Sequence, residues 1–229
     1  KTPAMQQYVQ MMNPVLQGKL DSWGDGKELV FFPFIKEALL EVGARIFIGL
    51  EEYGDEAELL NRSFTDLNDG LGSLLHWTIP GTTYYRGIKG RDRLADFFAR
   101  LIPERRTSDG KDMLSFMCRE KSDSGELFGD KDIMQHAAFL LFAAHDTTTS
   151  VLSHMIMYLG QHPEWQQRLR DESLALGKRW LEYEDLDKLA SLDLALNECL
   201  RLHPSVPLMT RRTTRDLELE GVDIPAHTM

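Results

Sequence analysis

The run Phe139-Leu140-Leu141-Phe142-Ala143-Ala144-His145-Asp146-Thr147-Thr148-Thr149-Ser150 sets six consecutive polar residues in the middle of an apolar stretch from Ile133 to Leu159. Apolar residues recur there at helical spacing. Asp130 stands where an N-cap or first-turn acid belongs, and Pro163 suits the first position of a following helix. The pattern predicts one helix over Asp130–Gly160, about 45 Å long at 1.5 Å per residue. It is apolar nearly all round, so it is expected to be buried. Polar groups left unsatisfied in such a helix cost about 1–3 kcal/mol each.

Two readings of the polar run carry equal weight on residue types alone. Thr and Ser hydroxyls can bond the carbonyl one turn back and bend a core helix. Alternatively, an acid, an adjacent alcohol and a small-residue gap at Ala143 and Ala144 suit delivery of protons to a bound oxygen species. Ala143 and Thr147 are four apart and share a face. His145-Asp146 also matches a metal-dependent phosphohydrolase pattern, with further histidines at 136, 154 and 162. At about 100° per residue, however, a spacing of nine puts His145 opposite both His136 and His154, so they cannot converge on one ion.

Upstream, helical spacing covers residues 3–22 with a kink at Pro14. An extended piece around Glu28–Phe31 leads into a helix over Phe34–Leu50, and further helices are predicted over Asp55–Leu75, Arg91–Arg106 and Lys111–Glu120. The turn-rich Trp77–Thr83 loop, followed by Tyr84 and Tyr85, reads as a cap over a hydrophobic entrance. Downstream, helices are predicted over Glu164–Gly177 and Leu192–Leu202, with a turn or two at Glu182–Leu189. Strand signals come only at the end: Leu208–Thr214, then a hairpin of Leu217–Glu220 and Asp223–Ile224 around Gly221.

The second motif is Asn197-Glu198-Cys199-Leu200-Arg201-Leu202-His203-Pro204. Glu198 and Arg201, three apart on a helix, are neighbours on one face. An exposed pair of this kind contributes little. The flanking leucines, Leu194, Leu196, Leu200 and Leu202, argue for partial burial, where such a pair fixes a rigid geometry at a desolvation cost.

Composition narrows the class. Of 229 residues 42% are hydrophobic, and 36 acidic against 26 basic residues give a net charge of −10, which argues against nucleic acid as partner. No uninterrupted apolar run of about 18 residues is written for a membrane-spanning helix, and Lys1-Thr2-Pro3 does not open a signal peptide. A first residue other than Met leads us to expect a longer parent chain, whose own N-terminus could carry an anchor. Cys118 and Cys199 lack any paired metal-binding spacing and fit a reducing compartment.

A small-small-x-Asp-Thr-Thr helix followed some fifty residues later by Glu-x-x-Arg-Leu-x-Pro resembles the cytochrome P450 family, and the order of elements follows it over nearly the whole chain. The resemblance implies a mainly α fold with a small β portion, residues 1–229 forming one partial domain. In that family the long helix crosses above haem b, and the Glu-x-x-Arg helix lies on the other side. Carried over position by position, Asp146 and Thr147 match the acid–alcohol pair that protonates dioxygen. Ala143 and Ala144 match the small residues beside the oxygen pocket, the second more often Gly. Glu198 and Arg201 match the core pair, and Arg211 a partner for a haem propionate. Val206 and Met209 fall in a substrate-contacting segment; Phe139, Leu140 and Val151 are candidates for the pocket wall or for ordinary core.

The implied activity is monooxygenation of a small apolar substrate such as a lipid, sterol or terpenoid, with O2 and with electrons from a ferredoxin or reductase. A bacterial, cytoplasmic protein is expected. The family's Phe-x-x-Gly-x-Arg-x-Cys-x-Gly loop does not occur, so the cysteine ligand of the haem iron is expected outside this chain. The early helices are expected to be missing as well, and the chain alone to be inactive. Two other classes remain: an HD-type phosphohydrolase with a divalent ion, and a non-catalytic helical interaction module in which the threonine run is a kink.

Overall fold

A computed structural model describes residues 2–24, 26, 28–50 and 54–229. Helix α1 (Thr2–Trp23) carries Pro14 within it and buries Val15 against Val42 and Ile46 of the next segment. The next helix, α2 (Phe31–Gly43), begins three residues earlier than its periodicity indicates and passes into a π-helical turn at Ala44–Ile48. The widened turn ends at Gly49.

Helices α3 (Asp55–Leu71) and α4 (Thr83–Thr107) form the most intimate pair. Glycine explains the contact. The sequence reading starts this helix at Arg91 and so leaves out Gly87 and Gly90. In the fold they are contact points: a Cβ on Gly90 would lie 2.5 Å from the Ser63 carbonyl, and one on Gly87 2.6 Å from the Gly70 Cα. Helix α4 starts at Thr83 because Thr82 caps it, its hydroxyl accepting from the Tyr85 N–H. Helix α5 (Met113–Arg119) follows, capped by buried Asp112. The main core fills the space among these elements with Ile48, Leu60, Phe97, Phe98, Ile102 and Leu114, together with Ile133 and Leu141 from the next helix.

Helix α6 (Asp130–Gln161) is the long helix expected, ending one residue beyond the predicted boundary. It is not buried all round. Ile133, Ala137, Leu141, His145, Thr149, Val151 and Met155 are covered, whereas Phe139 is 62% exposed, and Phe142, Ile156 and Met157 are exposed too. The neighbouring elements cover only part of its circumference. Helix α7 (Pro163–Ala175) starts on Pro163, and α8 (Ala190–Leu202) ends just before Pro204. Between them a 3-10 turn, Tyr183–Lys188, is built on Asp185, fully buried and bonded to Lys178, Lys188 and the Glu182 N–H. Glu172 of α7 accepts from the Ser191 and Leu192 N–H groups and so caps α8.

Strand β1 (Leu217–Leu219) pairs antiparallel with β2 (Val222–Ile224). Glu220 and Gly221 both take positive φ, as a type I′ hairpin turn requires. The expected strand at Leu208–Thr214 does not form: among the described residues no neighbouring strand reaches it, and of the segment only Thr213 makes backbone–backbone bonds, with His227 and Thr228.

Candidate functional site

Within the polar run of α6, Thr147 and Thr149 bond back one turn, and Ser153 does the same just beyond it. Thr147 Oγ1 donates to the Ala143 carbonyl at 2.7 Å, Thr149 Oγ1 to that of His145 at 2.9 Å and Ser153 Oγ to that of Thr149 at 2.8 Å. Local capping and a functional use are therefore not exclusive, since Thr147 keeps its lone pairs available after donating. Ala143 and Ala144 are half-buried beside it.

Asp146 and Thr147 are successive residues, about 100° apart around the helix, and they meet different partners. The Asp146 carboxylate accepts from Asn68 Nδ2 of α3 at 2.5 Å and faces Lys36 Nζ of α2 at 3.3 Å. His145 Nδ1 lies 3.2 Å from the same carboxylate, and its Nε2 is 3.0 Å from the Lys36 carbonyl. Burial pushes the His145 pKa down, against the opposing pull of the Lys36 carbonyl and of Asp146. The ring is thus neutral near pH 7 and can donate from only one nitrogen. Asn68 Oδ1 is buried without a hydrogen-bond partner. Lys36, Asn68 and His145 are the residues that sequence reasoning missed as partners of the acid, because they converge from three helices.

The other candidates distribute as follows. Glu198 and Arg201 form a bidentate pair, 2.7 Å at both contacts, with side chains 56% and 67% exposed. The partial burial expected from the flanking leucines is corrected: Leu194, Leu200 and Leu202 are themselves exposed. The Arg201 guanidinium holds the Glu198 carboxyl below the usual range, and the carboxylate raises Arg201 in return. Arg211 is exposed and reaches the Thr210 carbonyl and Met209 Sδ. Val206 and Met209 are exposed, Leu140 is half-buried, and Phe139 points outward. Val151 is packed core, against Met155 and Cys199.

The segment after α8 returns to α6. Ser205 Oγ donates to the Thr147 carbonyl at 2.9 Å. The His203 ring stacks on His154 at 4.4 Å and 7°, and its Nε2 is 2.7 Å from the Tyr158 hydroxyl. The α6 histidines thus serve separate partners, His136 the Asp132 carbonyl and His154 that of Ser150. An apolar groove of about 680 Å³ lies between α6, α7 and α8, lined by Met155, Leu159, Trp165, Leu194 and Leu202 among others. Both thiols are buried, Cys118 in the main core and Cys199 with its Sγ donating to the Val151 carbonyl, and burial pushes both pKa values up. Among the described residues no helix is long and apolar enough to cross a membrane.

Comparison with known proteins agrees with this arrangement. A putative cytochrome P450 136 of Mycobacterium tuberculosis is 38% identical over 227 residues, covering 96% of this chain and 46% of the relative. A beta-amyrin 28-monooxygenase of Solanum lycopersicum is 29% identical, over 98% of this chain and 50% of the relative. The retinoic-acid-bound cyanobacterial CYP120A1 superposes with a TM-score of 0.84 at 26% identity, covering 99% of this chain and 52% of that one. The chain spans about half the length of the curated relatives it matches. The cytochrome P450 family model matches residues 7–229; with the long helix, the Glu198–Arg201 helix and the superposition in agreement, the chain belongs to the cytochrome P450 family.

Proposed function

We propose that this chain contributes the α6 side of the active site of a haem-dependent monooxygenase, in which Asp146 and Thr147 conduct protons to the reacting oxygen. The observation that carries the proposal is the pairing, on one helix, of a tethered carboxylate with a hydroxyl set beside the half-buried Ala143–Ala144 step. Haem supplies, when bound, the iron at which dioxygen is activated. The described residues suit the wall of such a site and not its ligand, because Cys118 and Cys199 are buried, protonated thiols. Ala143 and Ala144 would flank the group, and Arg211 would neutralise a carboxylate at its edge.

The remaining steps belong to this chain's own side chains. Asp146, with 43% of its side chain exposed, exchanges protons with water while Asn68 and Lys36 fix its position. The Thr147 hydroxyl donates to the Ala143 carbonyl and keeps a lone pair for a neighbouring donor. When the hydroxyl turns from that carbonyl and gives up its proton, it takes one from that donor, so Thr147 stays neutral. Glu198 and Arg201 act as a structural pair.

The substrate is an apolar isoprenoid in this reading. Support comes from the names of relatives, a taxane 13-alpha-hydroxylase of Taxus cuspidata and beta-amyrin 28-monooxygenases, and from the retinoic acid in the superposed structure. Trp77 and Ile79, both exposed in the loop before α4, agree with an apolar ligand passing there, and Phe139, Leu140, Val206 and Met209 would meet it. Electrons come from a ferredoxin or reductase. The phosphohydrolase reading loses its footing, since His145 is committed to the Lys36 carbonyl and Asp146 to Asn68 and Lys36. In the full-length, haem-loaded protein, Thr147→Ala is expected to lower product formed per electron pair about tenfold or more, with retinoic acid as probe substrate. Unchanged coupling in that variant rejects the proton role.

A further inference from the structure

Between residues 143 and 151, helix α6 carries side-chain hydrogen bonds on the carbonyls of Ala143, His145, Thr147, Thr149, Ser150 and Val151. Four of these six come from the helix's own Thr, Ser and His side chains, one turn on. The other two, on Thr147 and Val151, come from elsewhere: Ser205 Oγ in the segment after α8, and Cys199 Sγ within α8. Thr147, Val151, His154 and Tyr158 recur at i, i+4, i+7 and i+11 and so form one stripe along α6. His203 fastens the far end of that stripe by stacking on His154 and bonding Tyr158. Residues 203–205 are therefore a strap, tied to α6 at two places about two turns apart, and its near tie is on the peptide of Thr147 itself.

A carbonyl that accepts a bond from outside its helix tilts outward and shares its lone pairs between that donor and the N–H one turn on. The orientation of the Thr147 peptide sets where the Thr147 Cα–Cβ bond points, and hence where its hydroxyl can reach. From this we infer that Ser205 is a positioning residue for Thr147, with His203 anchoring the strap that carries it. The inference rests on the proton role of Thr147 given above and extends it to a residue outside the helix. The strap keeps the hydroxyl in register with Ala143; without it the turn relaxes to an ordinary ladder and the hydroxyl swings off line.

The test uses the full-length, haem-loaded protein with Ser205→Ala, Ser205→Thr and Thr147→Ala. The first readout is hydrogen exchange of the α6 amides 147–151 in the ligand-free protein. Ser205→Ala should speed exchange there about two- to tenfold, the equivalent of one neutral hydrogen bond, and Ser205→Thr should restore it. The second is dioxygen consumption without substrate, driven by a ferredoxin and its reductase, in H2O and D2O. The solvent isotope ratio should rise about twofold or more in both Ser205→Ala and Thr147→Ala, on the scale of one weakened proton transfer, and return to the parent value in Ser205→Thr. Unchanged exchange in Ser205→Ala overturns the strap whatever Thr147→Ala does. A shifted ratio in Thr147→Ala with a parental ratio in Ser205→Ala overturns the positioning role and leaves the proton role standing. A parental ratio in Thr147→Ala removes the proton role and with it the inference.

Discussion

His145 is the residue on which the acid cluster turns. It is 8% exposed, bonded to the Lys36 carbonyl, and held neutral by burial. An unfolded chain binds a proton at this side chain near pH 6.5, whereas the folded one resists protonation to a lower pH. Below about pH 6.5 the unfolded state therefore binds more protons, and stability falls as pH falls. Replacing His145 by Gln removes this component. Thermal unfolding of the full-length protein between pH 7 and 5 should show a shallower loss of Tm in His145→Gln than in the parent; an equal slope refutes the account. The sequence marked His145 as a rival metal ligand and Asp146 as an acid. It could not show that Asn68, 78 positions away, and Lys36, 110 positions away, would hold that acid, because such contacts depend on how α2 and α3 cross α6.

At the scale of elements, the start of α4 was the boundary least legible in the sequence, which begins that helix at Arg91 and not at Thr83. Gly87 and Gly90 weaken a helix by about 0.8–1 kcal/mol each relative to Ala, yet the fold uses both to bring the α3 and α4 backbones together. Gly90→Ala should gain that propensity and lose more, since its Cβ would stand 2.5 Å from the Ser63 carbonyl. A net loss of about 1–3 kcal/mol is expected from urea unfolding. Gly18→Ala in α1, with nothing within 4 Å of the new Cβ, should instead stabilise by about 0.5–1 kcal/mol. Equal effects at the two positions would refute the close crossing. Thr82→Val should cost about 1 kcal/mol through the lost cap on α4, measured the same way.

Across the whole molecule, burial is uneven. Residues from the π-turn to the first third of α6 share one core, with Phe98, Ile48 and Leu114 fully covered. Phe98→Ala should cost about 3–5 kcal/mol. The α6–α8 side differs: Val151, Met155 and Cys199 make a small cluster beneath the apolar groove, and Leu194 and Leu202 are 54% and 43% exposed. The 229-residue chain should therefore bind an apolar dye in its folded state, and Leu194→Gln with Leu202→Gln should reduce that signal while changing stability by no more than about 0.5 kcal/mol per site. Dye binding that survives the double substitution would place the exposed apolar surface elsewhere.

What the sequence by itself determined is the set of features carried by near neighbours along the chain. Helical period located α6 to within a residue at its C-terminal end, Gly221 marked the hairpin turn, and Glu198 with Arg201 paired as their spacing of three required. Motif order was enough to point to the family. What the tertiary structure decided is which faces are covered and which distant groups meet. It exposed Phe139 and the Glu198–Arg201 pair, buried Val151, and left Leu208–Thr214 without a strand partner. It also joined Asp146 to α2 and α3, and Ser205 to Thr147. Periodicity encodes that a residue is apolar and helical; which neighbour covers it follows from helix crossings, and those are set by contacts spread over the whole chain.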